Sequence, residues 1–178
     1  MDIEQRRQGL PAVQRMCAIT PDTGKFLALL AAAAPTGEFL EIGTSGGYSA
    51  LWLALACAKR GQKLTTFELR DHKVDWARET FHAAGIEPLI DLVVGDAREH
   101  LSRYKNVSFC FLDATDDVYV DCYELVVPNM VAGGLVVADN VVTHADECKT
   151  FVDHVMADPR VDALIVPIGK GELVARKI

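Results

Sequence analysis

The chain has 178 residues, half of them hydrophobic, which suits one globular domain with a sizeable core. Its 25 acidic against 18 basic side chains leave a net charge of −7, and no Lys/Arg run extends beyond the Arg6-Arg7 pair, so small substrates are favoured over a nucleic-acid backbone. Five cysteines without CxxC or Cys/His metal spacing, a polar start from Asp2 to Gln8 and the lack of any run of membrane-spanning length together read as a reduced, cytoplasmic protein.

Residues Ile3 to Met16 show weak helical spacing broken by Gly9 and Pro11, so two short pieces are expected in an N-terminal arm, residues 1–18. The domain proper is expected over 19–178. Thr20-Pro21-Asp22 reads as a helix start, and the apolar face carried by Phe26, Leu27, Leu29, Leu30 and Ala33 ends before Pro35 and Gly37. The stretch Phe39 to Ser49 then spells strand, Gly-rich turn and helix, with the helix running through Lys59. Such a corner lets backbone approach a ligand closely and offers helix N–H groups to a carboxylate or phosphate. Its pattern is Gly43-x-x-Gly46-Gly47, with Ser45 where a dinucleotide fingerprint needs glycine, so a diphosphate fits poorly and a nicotinamide-dependent dehydrogenase is disfavoured.

After the break at Gly61 the alternation continues. Strands are expected at Leu64–Glu68, Ile90–Val94, Val107–Leu112, Leu135–Ala138 and Ala163–Ile168, and helices at His72–Ala84, Ala97–Tyr104, Val118–Met130 and Asp146–Met156. Gly169-Lys170-Gly171 turns the chain into Glu172–Lys177, expected to close the sheet edge as an antiparallel hairpin. The fold class is therefore α/β, Rossmann-like: a mostly parallel seven-stranded sheet with helices on both faces. The first five strands end in Glu41-Ile42-Gly43, Glu68, Gly95-Asp96, Asp113 and Asp139-Asn140, and in a parallel sheet the ligand sits outside those carboxyl ends. A single Asp in such a place is most often a helix cap; five acidic groups on one rim point to a site.

With these residues assembled, the chain resembles the S-adenosylmethionine-dependent O-methyltransferases of the catechol and caffeoyl-CoA type. The likeness runs from about Ile19 to Ile178, through Asp22–Leu27, Leu40-Glu41-Ile42-Gly43 with Gly47-Tyr48-Ser49, Gly95-Asp96-Ala97, Phe111-Leu112-Asp113-Ala114, Asp139-Asn140 and Pro167-Ile168-Gly169. The resemblance implies S-adenosylmethionine as cofactor. Gly43 and Thr44 would lie against it, Ser49 would help hold the methionine carboxylate, and Glu68 would take the ribose hydroxyls. Ala97, beside Asp96, would border the adenine, and Glu41 would offset the sulfonium charge; Thr20, Gly47 and Asp113 complete the implied cofactor-binding set. Asp113, Asp139 and Asn140 match the family's divalent-metal ligands, an oxygen set suited to Mg²⁺, which would position two adjacent acceptor oxygens and lower the pKa of one.

The chain also departs from the family. Three residues after Asp113, where the family typically carries a lysine that orients or deprotonates the hydroxyl, stands Asp116. Asp116 is a candidate base or a helix N-cap, and His144 is the best replacement base, although a lone histidine is more often structural. With Asp113 these form the candidate catalytic set. The covering segments before Ile19 and after Asn140 are short, so the acceptor pocket is expected to be open or completed by another subunit, with a homodimer through the arm as the expected assembly. The function implied is methyl transfer to an oxygen of a small catechol-like or vicinal-oxygen acceptor. Two alternatives stand beside it: methylation of a modified tRNA base, against which the acidic balance weighs, and a degenerate chain that binds the cofactor without turnover.

Overall fold

The computed structural model describes residues 7–11 and 15–178. Much of the segment Ile3–Met16, for which two helical pieces are expected, lies outside the described residues.

Thr20 starts a helix as the sequence suggests: its side chain accepts from the Thr23 N–H at 3.1 Å, Pro21 occupies the first turn where its missing N–H costs nothing, and this helix, α1, spans Pro21–Ala33. Then follow β1 (Glu38–Ile42), α2 (Tyr48–Arg60), β2 (Leu64–Glu68), α3 (Asp71–Ala84), β3 (Ile90–Val94) and β4 (Val107–Leu112). The second half adds α4 (Tyr119–Val126), β5 (Met130–Ala138), α5 (Lys149–Met156), β6 (Val161–Val166) and β7 (Glu172–Lys177).

The seven strands form one sheet in the order β3-β2-β1-β4-β5-β7-β6. Strands β1 to β5 pair in parallel, while β7 inserts antiparallel between β5 and β6. The C-terminal hairpin is thus as expected, with its second strand on the inside. Alternation along β4 builds a core on each face: Cys110 and Leu112 pack with Tyr119, Tyr123 and Phe151 of α4 and α5, whereas Phe109 and Phe111 pack with Leu27, Leu53 and Phe81 of α1, α2 and α3. Both phenylalanines of β4 are fully buried, each contributing about 1.5–3 kcal/mol of hydrophobic stabilisation.

Five expected elements differ in form or by two residues or more. Ala97–Tyr104 forms two 3₁₀ turns, Ala97–Glu99 and Leu101–Arg103, because so short a segment gains few hydrogen bonds for the cost of nucleating an α-helix. The helix expected over Val118–Met130 ends at Val126 and passes into a 3₁₀ turn, Val127–Asn129, at Pro128, which has no N–H to donate. Strand β5 begins at Met130 instead of Leu135; Gly133 and Gly134 do not break it but lie where its pairing with β4 becomes irregular. Helix α5 begins at Lys149, preceded by turns, and β6 lies two residues earlier than expected.

Candidate active site

From β1 the chain winds outward through β2 to β3, and from β4 it winds the other way to β5, so a crevice opens beyond the carboxyl ends of β1 and β4. Backbone hydrogen bonds level the strand ends. Gly43 N and Thr44 N both donate to Phe67 O (3.0 and 3.1 Å), Asp113 N donates to Ile42 O (2.9 Å), and Asp139 N to Leu112 O (3.0 Å). Gly43 is obligatory at this crossing: its φ is +102°, and a Cβ there would lie 2.1 Å from the Asp113 carbonyl oxygen.

The crevice is a cavity of about 530 Å³, within the size range of small-molecule sites. Strand order divides its wall into two halves. Gly43, Ser45, Glu68, Asp96 and Ala97 line the side toward β3; Asp113, Asp116, Asn140, His144 and Lys170 line the side toward β5 and β7. Eight sequence-predicted residues therefore meet in one cavity, from five different strand ends. Thr20, Glu41, Thr44, Gly47, Ser49 and Asp139 are not on its wall.

Glu68 is buried, and its carboxylate accepts from Ser45 N (2.7 Å) and Arg70 N (3.0 Å). Those two bonds fix its orientation and leave lone pairs for two more donors. A vicinal diol suits them, and small, apolar Ala97 leaves room for a flat ring beside it. These residues fit the ribose and base of S-adenosylmethionine. The arm backs this half: the Ser45 hydroxyl donates to Met16 O, and a Cβ at Gly46 would meet Met16 Cε. Asp96 is turned toward its own neighbourhood, accepting from Arg98 N and its guanidinium, which holds its carboxyl below the ordinary range.

Glu41 stands one layer beneath, wholly buried. Thr66 donates to its Oε2 at 2.5 Å, the Thr44 hydroxyl joins Thr66 at 2.6 Å, and Oε1 lacks a hydrogen bond of normal geometry. Burial pushes its pKa up to about 7; the nearby Ser49 and Thr66 hydroxyls pull it part of the way back.

On the other half, Asn140 Nδ2 donates to Asp113 Oδ1 (3.0 Å), and Asn140 holds φ at +74°, a left-handed conformation that asparagine tolerates better than most residues. Asp139 is 1% exposed, with both oxygens engaged: Oδ1 accepts from Asn140 N (2.7 Å), and Oδ2 from Lys170 Nζ (3.3 Å). Burial first, and the Asp139 charge second, push Asp113 well above the ordinary carboxyl range. Glu172 is buried behind them with neither carboxyl oxygen in a normal hydrogen bond; burial, then Asp139, raises it to about 9. Below, the Tyr119 hydroxyl donates toward Leu112 O and Asp139 O. Asp116 opens a 3₁₀ turn, with Thr115 and not Asp116 in the cap position, and exposed His144 stands at the cavity mouth, its N–H bonded to Asn140 O (2.8 Å).

Sequence reasoning missed Lys170 on the wall and Glu172 behind it, as well as the backbone roles of Ser45 and Arg70 at Glu68. The signals for the first two were a lysine framed by two glycines at a turn tip and an acidic residue opening a strand that proves buried at its start. The sequence-predicted metal set does not fit a divalent ion in this arrangement. Asp139 is not on the cavity wall, its Oδ2 is taken by Lys170 Nζ at 3.3 Å, and a positive charge about 4 Å from an incoming cation opposes it by roughly 4 kcal/mol per unit charge at an effective dielectric constant of about 20.

A family model described as O-methyltransferase matches residues 4–178. The chain belongs to that family. It is 33% identical over 127 residues to a catechol O-methyltransferase of Mycobacterium tuberculosis, covering 70% of this chain and 57% of the relative. To a catechol O-methyltransferase of Niastella koreensis it is 31% identical over 139 residues, covering 75% and 61%. The chain thus spans less than two thirds of the length of these two relatives. Among solved structures, an O-methyltransferase from Bacillus cereus in complex with SAH superposes with a TM-score of 0.81 at 26% identity, over 98% of this chain and 88% of that one. An O-methyltransferase from Streptomyces achromogenes in complex with SAM gives 0.82 at 26%, over 99% and 86%. The Rossmann-like fold with its C-terminal antiparallel hairpin is shared with these O-methyltransferases.

Proposed function

We propose that this chain transfers the methyl group of S-adenosylmethionine to an oxygen of a small acceptor, catechol-like or otherwise bearing vicinal oxygens. The observation that carries the reading is Glu68, oriented by two backbone N–H groups on the wall of the cavity at the β1/β4 crossing. Two relatives named catechol O-methyltransferases and structures named as SAM and SAH complexes support it.

When bound, S-adenosylmethionine supplies an electrophilic methyl carbon whose C–S electron pair returns to sulfur as the acceptor oxygen bonds to it. Glu68 would hold the ribose and Ala97 border the adenine, fixing where that carbon points. Asp113, Asn140 and Lys170 line the neighbouring half and would hold the acceptor oxygen in line, which is where positioning contributes most to such a transfer. The hydroxyl proton leaves toward the open mouth, where Asp116 and His144 stand. In this reading residues 1–18 act as an arm, and a homodimer through it would complete the acceptor pocket.

Calorimetric titration of S-adenosylmethionine into the wild type and Glu68→Ala tests the cofactor half. Binding to the wild type, weakened at least about tenfold by the substitution, a change of about 1.4 kcal/mol, is the expected result. Absence of binding to the wild type would sink the reading. Asp116, in the place where the family carries lysine, favours a second reading, a chain that binds the cofactor without turnover; methylation of any catechol would exclude it.

A further inference from the structure

Lys170 is held in place by more than its own pairing. The chain from Ile168 to Gly171 is a turn closed by Gly171 N→Ile168 O (2.8 Å), and it is laced to the segment after β5 through Val142 N and Thr143 N, which donate to Lys170 O (3.2 and 3.0 Å), and Val141 N, which donates to Gly171 O (3.1 Å). The turn therefore cannot shift without the Asp139-Asn140 corner shifting too. Its side chain is 22% exposed, against 1% for Asp139. One end of the ammonium faces a buried carboxylate and the other faces the cavity.

We propose that the Lys170 ammonium is the resident cation of this site: it occupies the place between Asp139 and the acceptor where a divalent ion would bind, excludes that ion, and itself contacts the acceptor oxygen. This deepens the methyltransfer reading and rests on it for the acceptor's presence. An oxygen that has lost its proton to solvent water meets a fixed positive charge on Lys170, with the Asn140 amide and Asp113 beside it. That pairing holds the nucleophile while the new C–O bond forms and the C–S pair goes to sulfur. An ammonium binds one oxygen as readily as two, so the acceptor class widens from vicinal diols to single phenolic or enolic hydroxyls, because chelation is not needed.

The test is uptake of Mn²⁺, followed by the electron paramagnetic resonance signal of the free ion, by the wild type, Lys170→Met, Lys170→Arg and the double variant Lys170→Met/Asp139→Asn. Each is measured with and without S-adenosylmethionine, whose own binding is read separately by calorimetry and confirms that each variant is folded. Wild type and Lys170→Arg are expected to leave Mn²⁺ free. Lys170→Met, which keeps the apolar stem and loses the charge, should bind Mn²⁺ at least tenfold more tightly, and the double variant should lose that gain. Mn²⁺ bound stoichiometrically by the wild type would overturn the proposal, and so would Lys170→Met that takes up no more ion than the wild type. Loss of cofactor binding by the wild type would instead count against the methyltransfer reading, whatever the ion does.

Discussion

Glu41 is a carboxyl with no water contact, one hydroxyl donor of good geometry and an oxygen left over, and its protonation is set by those facts. Its folded-state pKa of about 7 lies above the ordinary 4.5, so between these values the folded chain keeps a proton that the unfolded chain releases. The associated stability is complete below about pH 4.5 and is lost as pH rises through 7, at up to about 1.4 kcal/mol per pH unit. Urea denaturation at pH 5.5 and 7.5 should show the wild type losing about 2 kcal/mol relative to Glu41→Gln, which cannot titrate. Equal pH slopes for the two proteins would mean that Glu41 titrates as an exposed carboxyl does. The residue was legible in the sequence as an acidic group at a strand end, but its place beneath the rim was not: whether a strand's last acidic side chain faces cavity or core depends on which way it points between neighbouring strands. Lys170 shows the converse, a polar turn residue that reads as a solvated tip and becomes part of the site once the turn folds over Asn140.

At the scale of elements, the turn joining β6 to β7 connects the hairpin to the site. Gly171 has φ +93°, and a Cβ there would lie 2.2 Å from Val142 Cγ2 and 2.9 Å from Val142 N. Gly171→Ala should destabilise the protein by about 1–3 kcal/mol through the strained backbone and the clash, seen as a lower midpoint in thermal denaturation. Because Val141–Thr143 would move with it, the same variant should also bind a candidate acceptor more weakly while keeping cofactor affinity. Strands β2, β3 and β4 could be read to their last residue, since each is a short, mostly apolar or β-branched run closed by Glu68, Gly95 or Asp113, and β7 because Gly171 opens it. Where turn residues fell inside an element, as Gly133-Gly134 do in β5, the local signal suggested a break that pairing with β4 overrides.

For the whole molecule, burial of two cores against one sheet makes ligand and fold stability read the same equilibrium. S-adenosylmethionine at a hundred times its dissociation constant should add about 2.7 kcal/mol to stability. For a chain of this size each kcal/mol moves the midpoint by about 2–4 °C, so a rise of roughly 5–10 °C is expected in a thermal-shift measurement. An unchanged midpoint would argue that the cavity does not take the cofactor. The surplus of acidic over basic residues, by 25 to 18, belongs to this scale as well and weighs against a polyanionic acceptor.

The sequence by itself determined the α/β alternation, the Gly-rich corner at Gly43, and the acidic strand ends Glu68, Asp96, Asp113 and Asp139, because hydrophobic period and turn chemistry act over a few neighbouring residues. Only the tertiary structure decided which of those groups share a cavity, that Asp139 lies behind its wall, and that Lys170, 31 residues further along, pairs with it. Such distances are set by strand order and by the insertion of β7 between β5 and β6, long-range packing that no local pattern in the chain encodes.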